Sequence, residues 1–257
     1  MLILIAESKT MATCSERIGQ SEYVRHVPAL EETADEIMLS LRDMSAAELS
    51  KAVKISPVMA VGLQRMIYEF PNKELGSYAI NAFTGVVFRA FGYATLSTDA
   101  KKRTAENVRV ISSLYGWLRP DDIIKQYRFD FTTLLAPGLK TFCSYWRDRV
   151  TECLVDEIVK GHHASVLNLL PSDAAKCIDW KRVEGMARVL RADFKEIRES
   201  GMLKTPVSNR LKTLRGMLLR QMASERIDDA ASLSHITSEA YFSQGIDSDG
   251  VITLLCE

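Results

Sequence analysis

Residues 1–10 read MLILIAESKT, and this stretch decides the fold. Met1 to Ile5 is an uninterrupted apolar run of strand length, which is typical of a strand buried on both faces of a sheet. The polar segment Glu7 to Thr10 that follows is typical of a loop at the end of such a strand. Because sheet proteins commonly place sites where strands end, Ser8, Lys9 and Thr10 are candidates for a functional cleft.

Outward from this strand, strand-like and helical segments alternate along the chain. The further predicted strands are Val108 to Ser112, Ser165 to Leu169, Ala187 to Phe194 and Val251 to Leu255. The predicted helices are Glu31 to Met44, about Ala46 to Val53, a helix from Pro57 that ends before Pro71, Thr98 to Asn107, Tyr145 to Val159 and Val207 to Ser224. This alternation predicts an α/β (mixed α+β) fold, with a mixed sheet flanked by helices in a single domain over residues 1–257.

Helical signals are concentrated in a predicted helical hairpin at about residues 31–70. Ser45 with Glu48 three residues later is a capping-box signature. Ser56-Pro57 is typical of an N-cap followed by proline at the first helical position. The tight turn Lys54-Ile55-Ser56 therefore joins two helices.

Charge and composition limit the classes of function. Thirty-three Lys and Arg residues balance 33 Asp and Glu residues, so any binding of polyanions must come from local patches. The longest apolar run near the start is far shorter than the roughly 20 residues that span a bilayer. We expect a cytoplasmic protein with no membrane partner.

Cysteine and histidine positions argue against a bound metal. The five cysteines are scattered, odd in number and without Cys-x-x-Cys spacing, which disfavours a disulfide framework or a zinc site. His162 and His163 are adjacent, which is poor geometry for two ligands of one ion. We expect no cofactor and no tightly bound metal. A redox-sensing cysteine needs exposure and a lowered pKa, and only Cys143, with Arg147 four residues on, has a suggestive cation.

An ordered set of motifs gives the chain a resemblance to a known family. The most specific is SLYGWLRP at residues 113–120. The others are Met1 to Ile5 with Lys9-Thr10, Phe83 to Val87, Tyr127-Arg128, Asn168-Leu169, Lys212, Arg215-Gly216 and Ser238 to Tyr241. Over essentially its whole length the chain resembles the YaaA peroxide-stress family. The resemblance implies an α/β-type domain with a helix-hairpin-helix insertion, binding of double-stranded and structured DNA, and a role in iron homeostasis that limits free iron and oxidative DNA damage.

The chain departs from the family pattern most clearly at Asn168 to Ala174. The family typically has Asn-Leu-Ala-Ser-x-Glu-Tyr, whereas this chain has Asn-Leu-Leu-Pro-Ser-Asp-Ala. A hydroxyl and an aromatic ring are missing, and the acid is shortened. Ala240 likewise replaces a usual glycine.

The hairpin turn is the first candidate for DNA binding. A helix-hairpin-helix motif points backbone N–H groups and a helix N-terminus at a phosphate. Its common form, Gly-Ile-Gly-Pro-x-x-Ala, matches Lys54 to Ala60 at Ile, Pro and Ala, while both glycines are replaced. The candidate contacts are Lys51, Lys54, Ile55, Ser56, Pro57 and Arg65. The alternative is an ordinary helical hairpin in which Ser56 serves only as a cap.

The late helix is the second candidate. Met202 to Gln221 contains Lys204, Arg210, Lys212, Arg215 and Arg220 and no acid. An unbalanced basic run in a neutral protein favours attraction to phosphates. The alternative is a solvated face that pairs with acids elsewhere in the chain.

A basic cleft beside this helix is the third candidate. Its predicted members are Ser8, Lys9, Thr10, Arg119, Tyr127, Arg128, Asp130 and Asn168, and Lys125 could join them. The cations could instead form salt bridges with Asp121, Asp122 or Asp130.

An enzyme acting on a nucleotide or a nucleic-acid component is the main alternative of another class. Asp130, Asp173 or Glu239 could transfer a proton if the fold brings one of them near Arg128 and Lys212. The sequence contains no dinucleotide-binding, Walker, nucleophile-elbow or zinc-protease motif, so the common templates are absent.

Overall fold

The computed structural model describes residues 1–12, 26–72, 76–199 and 201–256. The strands are β1 Leu2–Ala6, β2 Ser77–Tyr78, β3 Val108–Ser112, β4 Gly116–Leu118, β5 Ile123–Ile124, β6 Ser165–Asn168, β7 Arg188–Ile197, β8 Leu203–Lys204, β9 Tyr241–Ile246 and β10 Val251–Cys256. The helices are α1 Glu31–Ser40, α2 Ala46–Val53, α3 Pro57–Glu69, α4 Ala79–Ala82, α5 Val86–Phe91, α6 Thr98–Asn107, α7 Phe142–Lys160, α8 Ser172–Ala175, α9 Trp180–Glu184, α10 Ser208–Glu225 and α11 Ala230–Ser234.

One mixed sheet organises the described part of the chain and confirms the predicted α/β class. Its strand order is β4-β3-β1-β6-β7-β10-β9, and β8 pairs with β7. The strands β3, β1, β6, β7 and β10 are parallel, whereas β4, β8 and β9 run antiparallel to their neighbours. β2 and β5 form a separate two-stranded pair.

Strand β1 lies inside this sheet because its residues are apolar on both faces. Leu2 to Ile5 are all buried, and they pair with β3 on one side and β6 on the other. After β1, the next parallel strand along the chain, β3, pairs on one side of β1, and the following one, β6, pairs on its other side. The direction of winding therefore changes between β1 and β6.

Of the three helices predicted for the helical hairpin region, one differs in length from the observed helix. Helix α1 ends at Ser40, where the Ser40 hydroxyl donates to the carbonyl of Ile37 at 2.7 Å, rather than at Met44. Helix α2 spans the predicted residues. Ser45 and Glu48 form the predicted capping box, with the Ser45 N–H donating to Glu48 Oε2 at 2.8 Å.

Helix α10 lies directly on α5, and their close approach depends on Gly216. A Cβ atom at Gly216 would lie 2.3 Å from the carbonyl oxygen of Val87. One turn further along α10, Arg220 Nη1 donates to the carbonyl oxygens of Phe91 and Gly92, each at 3.0 Å, where α5 ends. These contacts fix the position of α10 relative to the sheet.

No helix in the described ranges combines the length and apolarity needed to cross a bilayer.

Candidate functional site

A cavity of about 530 Å³ lies beyond the carboxyl ends of β1 and β6. Its lining comes from five segments: Ile5 to Thr10, Gly85 to Arg89, Asp130 with Phe131, Leu169 with Pro171 and Asp173, and Ser208 with Lys212 and Arg215. Open α/β sheets bind ligands in the crevice where the strand order reverses. This cavity lies at such a point, and we call it the switch-point pocket.

The loop after β1 is held in place by Ser8. The N–H of Gly85 donates to Ser8 Oγ at 3.0 Å, and the Ser8 hydroxyl donates to the carbonyl of Thr10 at 2.6 Å. A Cβ atom at Gly85 would lie 2.5 Å from Ser8 Cβ, so only glycine allows this approach. Ser8 therefore shapes the pocket wall.

Lys9 and Asp130 face each other on the pocket wall. Lys9 Nζ lies 3.0 Å from Asp130 Oδ2, although 62% of the lysine side chain is exposed. Burial alone raises the pKa of Asp130, but hydrogen bonds from Thr132 and Lys9 and the Lys9 charge outweigh it and hold the pKa at about 2. Asp130 is therefore a permanent carboxylate near neutral pH and a poor proton donor.

Glu7 contributes a carboxyl group to the same pocket, and its pKa is raised rather than lowered. Its Oε2 accepts hydrogen bonds from the Ser113 N–H at 2.9 Å and from the Tyr127 hydroxyl. The Tyr127 and Ser112 hydroxyls lie 2.7 Å apart, which extends the network. Burial raises the pKa of Glu7 to about 7, although the hydrogen bonds from Ser113 and Tyr127 oppose the change. Glu7 can therefore take up or release a proton near neutral pH.

The sequence pattern did not identify Glu7 as a site residue. The sequence signal that could have identified it is an acidic residue directly after a fully apolar strand, because such a residue lies where the buried strand ends. The burial that raises its pKa comes from the tertiary fold, and its hydrogen-bond partners Ser113 and Tyr127 lie more than 100 residues away in sequence.

Helix α10 contributes two cations to the pocket, Lys212 and Arg215. Within the described ranges, neither Lys212 nor Arg215 forms a hydrogen bond or ion pair. Burial lowers the pKa of the Arg215 guanidinium, and the nearby Asp173 carboxylate opposes this effect. A partly buried guanidinium without a hydrogen-bonded partner is costly, so an anion bound in the pocket would stabilise it.

The other arginines of this basic run are already engaged. Arg210 forms an ion pair with Glu196 at 2.8 Å. Arg220 Nη1 holds the end of α5, as described above, and also lies 3.0 Å from Thr95 Oγ1. Only part of the predicted basic surface is therefore available to a ligand, and we assign Arg220 to helix packing.

Four of the residues predicted for the cleft do not line the switch-point pocket, and three of them lie next to residues that do. Tyr127 is buried beneath it and bonds to Glu7. Arg128 donates to the carbonyl of Lys9 at 3.0 Å, which supports the wall from behind. The Asn168 side chain accepts from the N–H of Leu170 at 2.9 Å and so shapes the loop after β6.

Arg119 lies near the amino end of β3, away from the strand ends that border the pocket, so its predicted place in the cleft is wrong. Strand β4 runs antiparallel to β3, with Ser112 opposite Gly116 and Val110 opposite Leu118. The chain therefore returns towards the amino end of β3 before it reaches Arg119. There Arg119 lies 3.8 Å from Glu157, which also pairs with the buried Arg109.

Lys125 and Glu239 are also away from the pocket. The Lys125 ammonium bonds to the carbonyl of Phe70 and lies 4.7 Å from the centre of the Phe70 ring. Glu239 is exposed and does not line the pocket, whereas Asp130 and Asp173 do.

The hairpin candidates form a separate surface. Lys51, Lys54, Ser56 and Pro57 are exposed around the turn, and Lys54 adopts the left-handed conformation at φ 57°. Ser56 Oγ accepts from the N–H of Met59 at 3.3 Å, so it caps α3 as the simpler alternative requires.

Two further hairpin candidates are tied to the hairpin itself. The N–H of Ile55 donates to the carbonyl of Ser50 at 3.1 Å, and Ile55 is partly buried. Arg65 pairs with Glu69 at 2.7 Å. Lys51 and Lys54 therefore carry the available charge of this surface.

Comparison with known proteins matches the chain to one family over most of its length. A family model described as "Peroxide stress protein YaaA" matches residues 1–245. A UPF0246 protein of Parabacteroides distasonis is 31% identical over 252 residues, covering 97% of each chain. A UPF0246 protein of Bacteroides fragilis is 30% identical over 244 residues, covering 94% of this chain and 92% of the relative. One from Alteromonas mediterranea is 27% identical over 245 residues, with the same coverage.

Proposed function

This chain belongs to the peroxide stress protein YaaA family, and from that premise we propose that it binds DNA through phosphate contacts and so protects DNA during peroxide stress. The observation that carries the proposal is the pair of cations Lys212 and Arg215 at the switch-point pocket, which form no ion pair or hydrogen bond within the described residues. We further propose that DNA protection is the route by which the protein limits damage linked to free iron.

Phosphate is the ligand chemistry that these cations favour. A guanidinium presents donors in a fork that matches a phosphate, and an ammonium acts as a point charge. Lys9 adds a third cation, but Asp130 already neutralises it. The charge available to a ligand is therefore centred on α10.

The exposed hairpin supports a second phosphate contact. Lys51 and Lys54 flank the turn, and the positive end of the α3 dipole points outward at Pro57. Because the turn lacks both glycines of the common motif, we expect the hairpin to contribute less than α10.

Lys212→Glu is expected to weaken binding of duplex DNA about tenfold at about 0.1 M salt. The slope of log affinity against log salt should fall by about one unit if one phosphate contact is lost, while sequence preference stays unchanged. A salt titration by fluorescence anisotropy measures both quantities. Lys181→Glu on α9 is the control, since it makes the same charge change at an exposed position outside the pocket.

Equal effects of Lys212→Glu and Lys181→Glu would show that only net charge matters and would contradict a contact at α10. Affinity that is indifferent to salt would remove the DNA-binding proposal itself.

Lys54→Glu tests the hairpin separately and is expected to reduce affinity about threefold, which is less than for Lys212→Glu. The same titration measures it, and Lys51→Gln shows whether the neighbouring cation shares the contact. If Lys54→Glu costs more than Lys212→Glu, the hairpin rather than α10 is the main anchor.

One observation favours an enzyme as the second candidate function. A carboxyl whose pKa is about 7 lies in the same pocket as the cations Lys212 and Arg215, a combination suited to proton transfer on an anionic substrate such as a nucleotide. Incubation of DNA or nucleotides with the wild type and with Glu7→Gln, followed by mass analysis of the products, tests this reading. A product formed by the wild type and lost in Glu7→Gln would support it.

A further inference from the structure

The apolar part of the switch-point pocket has no role in binding a phosphate. Beside the cations, eight apolar residues line the pocket: Ile5, Ala6, Val86, Val87, Phe88, Phe131, Leu169 and Pro171. Its volume of about 530 Å³ is typical of cavities that enclose an organic molecule, whereas a phosphate group alone would leave most of it empty. The pocket therefore fits a ligand with an anionic end and a larger apolar body.

We propose that the switch-point pocket holds one nucleotide unit, with its phosphate at α10 and its base between the apolar residues and Glu7. This inference deepens the function proposed above, because it names what the phosphate carries into the pocket. It rests on that function for the phosphate contact.

The phosphate end of the site lies on one face of α10. Ser208, Lys212 and Arg215 all line the pocket, and their spacing of four and three residues places them along the same face of the helix. Helix α10 begins without a side-chain cap and has no acid in its first turn, so its first N–H groups add to the positive charge here. The Asp173 carboxylate also lines the pocket and partly offsets Arg215. This face therefore supplies the contacts for one phosphate group.

Glu7 is the polar group that a base would meet in the apolar part. Both hydrogen bonds described for its side chain, from the Ser113 N–H and the Tyr127 hydroxyl, reach Oε2, so Oε1 is the oxygen that can contact a ligand. Glu7 lines the pocket and is partly exposed. A carboxylate accepts from an N–H group, and its protonated form donates to a ring nitrogen or a carbonyl oxygen. Each of the four DNA bases has a donor beside an acceptor on its pairing edge, so Glu7 can bond any of them.

The apolar residues supply contacts to the faces of the base. The rings of Phe88 and Phe131 are part of the lining. A base that leaves a duplex is typically held between aromatic or apolar side chains and recognised on its pairing edge. That edge is free only when the base is unpaired. The nucleotide therefore comes from one of two sources, which are an unpaired or extruded position in DNA and a free nucleotide.

Titration calorimetry of the wild type with deoxyadenosine monophosphate and with deoxyribose 5-phosphate tests the proposal, because only the first ligand carries a base. The nucleotide should bind at least about tenfold more tightly, since its base gains apolar contacts and a hydrogen bond to Glu7. This comparison does not depend on the folding of a variant.

Val86→Phe fills the space proposed for the base. Val86 is the first residue of α5, is partly exposed and lines the pocket, so a larger side chain there enters the cavity rather than the core. It should lower the affinity for the nucleotide about tenfold and leave the affinity for deoxyribose 5-phosphate unchanged. Val159→Phe is the matched control, because Val159 is exposed on α7 outside the pocket, and it should bind both ligands as the wild type does. Lys212→Glu should weaken both ligands.

A duplex with 2-aminopurine opposite an abasic site distinguishes the two sources. This base has no pairing partner, so it leaves the stack at little cost, and its fluorescence rises when it does so. A rise on binding the wild type that is absent with Val86→Phe identifies a nucleotide of DNA as the ligand. An unchanged signal, together with tighter binding of the nucleotide than of deoxyribose 5-phosphate, identifies a free nucleotide. Either result supports the proposal.

Equal affinity for deoxyadenosine monophosphate and deoxyribose 5-phosphate would overturn the proposal. A lack of binding to both ligands together with an unchanged 2-aminopurine signal would also overturn it. Both results are compatible with salt-dependent binding of DNA, so they differ from a failure of the proposed function. Tighter binding of the nucleotide without any binding of DNA would contradict the proposed function and support this inference.

Discussion

Gly216→Ala is expected to lower the free energy of unfolding by about 3 kcal/mol. The added Cβ atom would lie 2.3 Å from the carbonyl oxygen of Val87, 2.7 Å from Ala90 Cβ and 3.0 Å from the backbone nitrogen of Phe91. Two of these neighbours are backbone atoms, so no side-chain rotation can relieve the clash. Alanine gains about 1 kcal/mol in helix propensity, which does not offset the strain of separating α10 from α5.

Urea denaturation followed by circular dichroism measures this loss. Gly62→Ala is the matched control, because Gly62 lies within α3 and, apart from its chain neighbours and the backbone of its own helix, no atom lies within 4 Å of the position of a Cβ. It should be neutral or more stable by up to about 1 kcal/mol. Similar behaviour of the two variants would show that α10 and α5 are not packed as closely as the structure has them.

The same substitution should also disturb the pocket. Helix α10 carries Lys212 and Arg215, and the adjacent α5 contributes Val86 to Arg89 to the same pocket. If the helices separate, the cations move away from the loop after β1. The glycine in the Arg215-Gly216 pair thus connects helix packing with the proposed contact to phosphate.

Local signals were enough to predict the main strands and helices. Val108 to Ser112, Ala46 to Val53 and Thr98 to Asn107 were predicted with the observed bounds, because apolar periodicity and capping residues act within a few positions. Helix α7 begins at Phe142, three residues before the predicted start. Its N-cap is Thr141, whose Oγ1 accepts from the N–H of Ser144 at 3.1 Å.

The site was less predictable because it depends on strand direction. Lys9 and Asp130 were both predicted for a cleft, and both line the switch-point pocket. Arg119 was predicted with them because it follows the turn after β3. The chain reverses in a turn at Gly116, where φ is 68°, so Arg119 lies at the opposite end of the strands from the pocket. No periodicity in the sequence shows whether the chain after such a turn forms an antiparallel strand or continues as a loop.

Contacts between distant segments account for the remaining differences. Arg220 belongs to an unbalanced basic run, but its partners are carbonyls at the end of α5, about 130 positions earlier in the chain. That contact leaves no pattern that spacing could reveal.

Glu7→Gln is expected to remove a pH dependence of stability that amounts to at most about 3 kcal/mol. Burial raises the pKa of Glu7 from 4.5 to about 7 in the folded protein. Between these values the unfolded chain has released the proton and the folded chain retains it, so stability falls as pH rises. Each pH unit between the two pKa values changes the free energy of unfolding by about 1.4 kcal/mol, which gives the expected total of about 3 kcal/mol.

Urea denaturation of the wild type and Glu7→Gln at several pH values between about 5 and 8 measures this effect. As pH rises, the free energy of unfolding of the wild type should fall relative to that of Glu7→Gln. The contributions of other groups, such as Asp122, are the same in both proteins and cancel in the difference. Glu48→Gln is the control, because hydrogen bonds from Ser45 lower the pKa of Glu48 and place its titration below this window. A flat difference for Glu7→Gln would mean that its carboxyl is already ionised at pH 5.

The position of Glu7 extends this prediction to ligand binding. A phosphate bound near Lys212 and Arg215 would bring negative charge into the pocket that Glu7 lines, which favours the protonated form of the carboxyl. Binding should therefore take up a proton near neutral pH, and the affinity of the wild type for inorganic phosphate or DNA should fall as pH rises through about 7. Glu7→Gln should lose most of this dependence while it keeps the cations. An unchanged pH profile in the variant would show that phosphate is bound away from Glu7.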